Sequence, residues 1–214
     1  MGSIDAPSFE NTPVAETRRL YEVSTRLIRS LTWDEMLQAM SVPGLSEQAT
    51  ISLYTVDQDD AQLPQRLRLV ARREAGGQQV RVTDEPVPVE AIPFSREWLK
   101  SPERPLLVGD VAQDQRLDPE SRARGDSEQL GAHISLPLSL RQRWVGLITL
   151  SWPNPQSFTD GEHRLFQMLL EQATVVVDSR LLLARTQQAL KDTQQQRALL
   201  ETILENLPVG VAVG

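Results

Sequence analysis

Apolar positions recur at steps of three and four along some stretches of this chain and at steps of two along others, and these two periods mark out helices and strands. Leu20, Val23, Leu27 and Leu31 predict an amphipathic helix, with Thr12-Pro13 as its start and proline at the first helical position. A second helix follows at once. Thr32 and Glu35 have capping-box spacing, with Leu31 and Met36 placed as its hydrophobic staple. Ala49, Ile51, Leu53 and Thr55 then alternate with Thr50, Ser52, Tyr54 and Val56, and Leu67, Leu69 and Ala71 alternate with Arg66, Arg68 and Arg72, predicting two strands. Gly76-Gly77 turns the chain into an extended segment carrying Val80, Val82, Val87 and Val89. Phe94 to Lys100 reads as a short helix, Arg104 to Val108 as a short strand, and Val111 to Gln129 as a polar loop with a short helix.

The clearest strand signal is Ala132 to Trp152. Ile134, Leu136, Leu138 and Leu140 point one way and His133, Ser135, Pro137 and Ser139 the other, with Arg141-Gln142-Arg143 as the turn of a hairpin. Thr159 and Glu162 form a second capping box, and from Glu162 to Leu207 there are 46 residues without glycine or proline. A helix of that length runs roughly 70 Å, past the edge of a small domain. One seam of it, stepping by four and three, carries Leu165, Leu169, Val176, Leu183, Leu190, Leu200, Leu204 and Leu207 beside a column with Gln172, Ser179, Thr186 and Thr193. An apolar column beside a polar one is a weak two-stranded coiled coil. An amphipathic helix of this length without a partner is marginal in water, so a parallel homodimer is expected through Leu169, Val176, Leu183, Leu190, Leu200 and Leu204. The half up to about Leu183 is expected to pack on its own sheet as well, leaving the seam past Arg185 without an intramolecular partner. The order of elements predicts an α+β fold, an antiparallel sheet with helices packed on it.

Composition narrows the chemistry. With 40% hydrophobic residues the chain can build a core, and its net charge of −7 argues against a general nucleic-acid or anionic-membrane binder. No apolar run reaches membrane length, so a cytoplasmic protein is expected. The absence of cysteine removes disulfides, thiolate metal sites and cysteine nucleophiles, and two histidines, His133 and His163, are too few for most zinc or catalytic sets. No glycine-rich phosphate loop precedes a helix. An enzyme is therefore not expected.

Leu130 to Thr186, with its apolar strand, basic turn, Gly-x-Ile-x-Leu strand (Gly146 to Leu150), Phe158-Thr159-x-x-Glu162 and long amphipathic helix, resembles the C-terminal half of a GAF domain. Arg104 to Arg116 resembles that family's strand–Asp–loop element, and the helix pair from Leu20 to Leu37 its opening. Leu199 to Gly214 looks like the opening of a PAS domain, its helix ending at Asn206-Leu207-Pro208 and its first strand cut short, as in a piece of a longer protein. The resulting division is a leader over 1–12, a GAF core over 13–160, a long helix over 161–207 and the PAS start over 208–214. That layout is similar to bacterial sensor histidine kinases and diguanylate cyclases.

The resemblance implies a six-stranded antiparallel sheet with the terminal helices on one face and a small-molecule pocket on the other. Ile134, Leu136 and Leu138 then lie under the helices, and His133 and Ser135 face the pocket with Trp98 and Asp110 at its wall and edge. For His133 the favoured reading is a satisfied strand histidine rather than a ligand contact. Trp98, Trp144 and Trp152 suit stacking on a flat ligand, Trp98 best of the three, but core or rim packing is the favoured reading for each. Asp110 either binds a ligand amine or caps the next turn. Family members that attach bilins or reduce methionine sulfoxide use cysteine, which is missing, so no covalent bilin is expected. Phe158 and Glu162 leave only a remnant of the cyclic-nucleotide motif, and Asn154 has no adjacent lysine, which disfavours cyclic nucleotides. Two functions are carried forward. One is a sensory module passing a signal through a dimeric helix to PAS and output domains, and the other is a ligand-free dimerisation scaffold.

Overall fold

The structure is a computed structural model that describes residues 13–56, 63–80 and 85–206. The leader, Val82 and the PAS-like segment from Leu207 lie outside the described residues. The chain divides into two compact units, Met1–Val176 and Val177–Gly214.

The first unit opens with α1 (Pro13–Arg29) and α2 (Trp33–Met40), and its sheet is built from β1 (Thr50–Val56), β2 (Arg66–Arg73), β3 (Gln79–Val80), β4 (Pro86–Pro88), β5 (Leu106–Val108), β6 (Ala132–Leu140) and β7 (Arg143–Trp152). A 3-10 turn at Val89–Ala91, α3 (Ser95–Trp98) and α4 (Pro119–Ser127) interrupt the strands. The long helix α5 runs from Asp160 to Asn206, 47 residues. All pairings are antiparallel, and the hydrogen-bonded path has six strands in the order β3-β2-β1-β7-β6-β5, with short β4 also on β2. The expected α+β architecture is present.

The helix starts follow from their caps. Thr32 accepts from the Glu35 amide while the Glu35 carboxylate accepts from the Thr32 amide, and Thr159 and Glu162 repeat the arrangement before α5. The staple at Leu31 is not made. Leu31 is 86% exposed while Met36 is buried, because α1 has already ended at Arg29 and the Ser30 hydroxyl bonds the Leu27 carbonyl. The hairpin turn is tight, with both Arg141 and Gln142 at positive φ (51° and 65°), the conformation that fits the twist of paired strands.

Two irregularities decide which side chains share a face. Between the β1–β2 pairs Leu53↔Ala71 and Tyr54↔Leu69 the register shifts by one residue, so Val70 bulges. The strict alternation expected along β2 therefore breaks there. Leu67 and Leu69 face the same way as Arg72, paired with Ser52, and Ala71 faces the other way. A second shift lies between Leu138 and Ser139 opposite β7. One face of the sheet carries Ile51, Leu53, Ile134, Leu136, Ile148 and Leu150, all fully buried. The other, here the front, is covered by the 3-10 turn, α3 and the loops around α4, whose apolar residues form one cluster with Leu67, Trp144 and Leu147 of the sheet. Among the described residues, none of α1, α2 or α5 belongs to that cluster. The α2 helix lies against β1 and β2.

Candidate functional site

Across the front face runs a row of polar side chains unusual for a sheet centre. Pairing aligns Val108, His133, Ser151 and Thr50 in one line and Leu106, Ser135, Thr149, Ser52 and Arg72 in the next. His133 is 1% exposed and its two ring nitrogens lie 2.9 Å from Ser151 Oγ and 3.0 Å from Ser135 Oγ. One nitrogen of a neutral imidazole donates and the other accepts, so two hydroxyls that can do either satisfy the ring completely. Burial holds its pKa down to about 3, so the ring is neutral at physiological pH. The Phe94 ring stands edge-on to it, centroids 4.9 Å apart.

At the β1–β2 end the row becomes charged. Glu74 accepts from Thr50 Oγ1 at 2.8 Å and from Arg72 Nε at 2.8 Å. Burial raises the Tyr54 pKa, opposed by the Arg72 charge and a hydrogen bond with Ser52. Burial likewise raises the Glu128 carboxyl against the pull of Arg124 and Arg72. Strict alternation along β2 would set Arg72 opposite to Leu67 and Leu69, and the Val70 bulge brings it to this face.

Above the row sits the apolar cluster. Trp98 is 1% exposed, donates from Nε1 to the Pro93 carbonyl at 3.2 Å, and meets Trp144 edge-on at 5.6 Å. Leu67, Val89, Ile92, Phe94, Val108, Val111, Leu117 and Leu147 complete it. Phe94 stands in the left-handed region, φ 56° and ψ 29°, which for a bulky residue costs on the order of 1–3 kcal/mol. No local pattern in the sequence signals this. Polar links tie the covering elements together. Asp118 caps α4 by accepting from the Ser121 amide at 2.7 Å, Arg96 reaches Glu120 at 2.8 Å, and Ser121 Oγ donates to Glu97 at 3.1 Å. Between α3 and α4 opens a cleft of about 60 Å³ lined by Ile92, Phe94, Arg96, Glu120, Ser121 and Arg124. Ligand pockets run to roughly 300–1,000 Å³, so this cleft takes water rather than a small molecule.

The four residues expected at a ligand site therefore stand as follows. Trp98, His133 and Ser135 share the front face, each buried and engaged with protein partners. Asp110 does not join them. Its carboxylate accepts from the Ala112 and Gln113 amides at 3.0 and 3.2 Å, which is the capping alternative. Of the seam residues, Leu169 is 2% exposed and packs inside the first unit, and Val176 is only partly exposed. The free part of the seam begins at Leu183, 59% exposed, and continues through Leu190 and Leu200 at 59% and 60%, while the side chain of Leu204 lies outside the described residues. Among the described residues no helix is long and apolar enough to cross a membrane, and no group of three or more His, Asp or Glu is placed to hold a metal ion.

Known structures share this arrangement. The chain matches the chromophore-binding domain of an unusual bacteriophytochrome from R. palustris with TM-score 0.60 and 13% identity, over 76% of this chain and 60% of that one. It thus spans about three fifths of that structure. The GAF domain from an Acinetobacter phosphoenolpyruvate-protein phosphotransferase matches with TM-score 0.58 and 13% identity, over 79% of this chain and 97% of that one. A phycocyanobilin-bound GAF domain from a cyanobacterial phytochrome matches with TM-score 0.57 and 16% identity, over 78% and 96%. At such identities the likeness concerns the fold. No curated protein matches the chain. The sequence profile described as "GAF domain" matches residues 32–178, more than half of the chain, so the chain belongs to the GAF domain family, a family of sensory and regulatory modules.

Proposed function

We propose that this GAF domain is a regulatory relay that works as a homodimer through α5 and passes a change in its front cluster to a PAS domain, which its C-terminal segment resembles, and to an output domain of the histidine-kinase type that such a layout suggests. The observation that carries this reading is the exposed apolar side chains of α5, of which Leu183, Leu190 and Leu200 lie on the seam. Leu182, Leu183, Leu190, Leu199, Leu200 and Ile203 are each between 48% and 61% exposed along a continuous helix. Six large apolar side chains on one rod call for a partner helix, and a second copy of the same rod meets the same pattern in register.

The front face supports a second reading as well. Its row is internally bonded and its cover is packed apolar residue on apolar residue, as expected of a scaffold without ligand. In the sensory reading, a ligand reaching Trp98, His133 and Ser135 must first part that cover, so binding would itself be the conformational change.

Sedimentation of the full chain tests the relay. The parent is expected as a dimer, and Leu183→Lys with Leu190→Lys as a monomer with the GAF core intact. A monomeric parent, or a dimer that survives both lysines, refutes pairing through this seam. Native mass spectrometry separates the two readings, since a retained mass of a few hundred daltons favours the sensor and a bare dimer after exposure to cell extract favours the scaffold.

A further inference from the structure

The segment between β7 and α5, Pro153 to Thr159, lies against the front-face loops with no clearance. Gln156 N donates to the Gly109 carbonyl at 2.8 Å, Gly131 N to the Trp152 carbonyl at 2.8 Å, and Val111 N to the Gly131 carbonyl at 3.0 Å. These three backbone bonds fasten the β5–α4 loop, the start of β6 and the connection into one unit. The two glycines are required by proximity. A Cβ at Gly109 would stand 2.6 Å from the Gln156 carbonyl oxygen, and one at Gly131 2.3 Å from the Asn154 carbonyl carbon. Backbone, unlike a side-chain tip, cannot swing aside.

The same unit reaches both ways. Toward the front, Val111 is fully buried in the cluster, and a Cβ at Gly125 of α4 would meet Val111 at 2.5 Å and Phe94 at 3.4 Å, so α4, Val111 and the strained Phe94 are pressed together. Toward the helix, Phe158 follows the fastened segment. Its ring lies 5.8 Å from Trp152 and 6.2 Å from Phe166, which is fully buried in the second turn of α5. We propose that this connection is the mechanical link of the domain, in which repacking at Phe94 and Val111 displaces the Gly109 and Gly131 contacts and is delivered to α5 by the Phe158 ring. Close-packed elements of this kind move between discrete arrangements rather than deforming smoothly. The left-handed Phe94 stores strain at the front end of the route. The link rests on the reading of α5 as the output element, but its test is independent of that reading.

The test uses the full chain labelled with 4-fluorophenylalanine. Its four phenylalanines are Phe9, Phe94, Phe158 and Phe166, and three of them lie along the route. Val111→Ala is expected to move the Phe166 fluorine resonance by more than its linewidth, and the same change in a Phe158→Leu background to leave it in place. Leu67→Ala removes more volume from the same cluster but on β2, three strands away from β6 in the sheet, and is expected to leave Phe166 unmoved. Val111→Thr and Leu67→Val replace the alanine variants if those do not fold. The proposal is overturned if Phe166 ignores Val111 in the parent, if it responds equally without Phe158, or if Leu67 moves it as much. Sedimentation of the same samples reads dimerisation separately, so a monomer that retains the Val111 response loses the relay but keeps the link.

Discussion

Lowering the pH from 7 to 5 is expected to destabilise this fold by about 2 kcal/mol through one residue, His133. Its ring is fully enclosed, both nitrogens are bonded to serine hydroxyls, and its folded pKa is about 3 against an ordinary 6.5. The unfolded chain therefore takes up a proton through this window that the folded chain refuses, and stability falls as the pH drops below the unfolded value. At pH 5, about 1.5 units below that value and still well above the folded one, the penalty at 1.36 kcal/mol per unit comes to about 2 kcal/mol. The carboxylates of Asp114 and Asp118, lowered by Arg116 and by the Ser121 amide respectively, lose their contribution only at more acid pH, and Glu128, raised by burial, acts in the opposite direction. Urea unfolding at fixed protein concentration, at pH 7 and at pH 5, measures the difference. His133→Asn keeps a hydrogen-bonding side chain without the titration and should flatten the slope. A parent whose unfolding free energy changes by less than about 0.5 kcal/mol between the two pH values, or a His133→Asn variant with the parent's slope, would refute the reasoning.

Trp98→Ala removes the largest fully buried side chain of the front cluster and should cost about 3–5 kcal/mol, read from the denaturation midpoint, with the loss of the Trp144 contact visible in near-ultraviolet dichroism. Replacing Arg141-Gln142 by Asn-Gly should raise stability by about 0.5–2 kcal/mol, since both positions already sit at positive φ and the new residues adopt it more readily. A lower melting temperature would mean that the turn is held by its side chains and not by its backbone.

The sequence made the elements visible wherever a single period ruled. The hairpin from Ala132 to Trp152 is legible from the alternation along Ala132 to Leu140, and the capping boxes mark the starts of α2 at Trp33 and of α5 at Asp160, one residue before the expected 161. What it concealed were the points where a long-range contact overrides a local rule. The Val70 bulge reverses a face in mid-strand, and nothing in Arg66 to Arg73 announces it, because the extra residue is set by the pairing with β1. Leu31 fits a staple by spacing but is left outside by the end of α1. The seam of α5 is periodic from end to end, so periodicity alone does not separate Leu169, buried in its own domain, from Leu183, which is exposed. The site shows the same division. The polar residues opposite Ile134 and Leu136 are legible as a front face, whereas the filling of that face by Phe94, Trp98, Val111 and Trp144 comes from separate segments of the chain.

The free part of the α5 seam is also less polar than its sequence. Thr186 Oγ1 donates to the Leu182 carbonyl at 2.9 Å and Thr193 Oγ1 to the Ala189 carbonyl at 2.8 Å, so each hydroxyl proton is spent within its own helix and burial of these positions leaves no orphan donor. The strongly polar interruptions are then Ser179 and Arg197, the latter paired with Glu201 at 3.0 Å. On the proposed pairing they bracket a run from Leu183 to Thr193 of about three turns, shorter than a helix pair needs to be firmly stable by itself. On the proposed pairing this run contributes only a small free energy, with Leu200 continuing the seam beyond Arg197, so a small bias from the domain would be enough to redirect it. A difference of about 1.4 kcal/mol in front-cluster packing between two α5 arrangements changes their ratio tenfold. A seam with leucine at every position would resist that bias. On the proposed pairing, the threonines would let the rods pair while leaving their arrangement within reach of what a single cavity or ligand contact in the GAF core supplies.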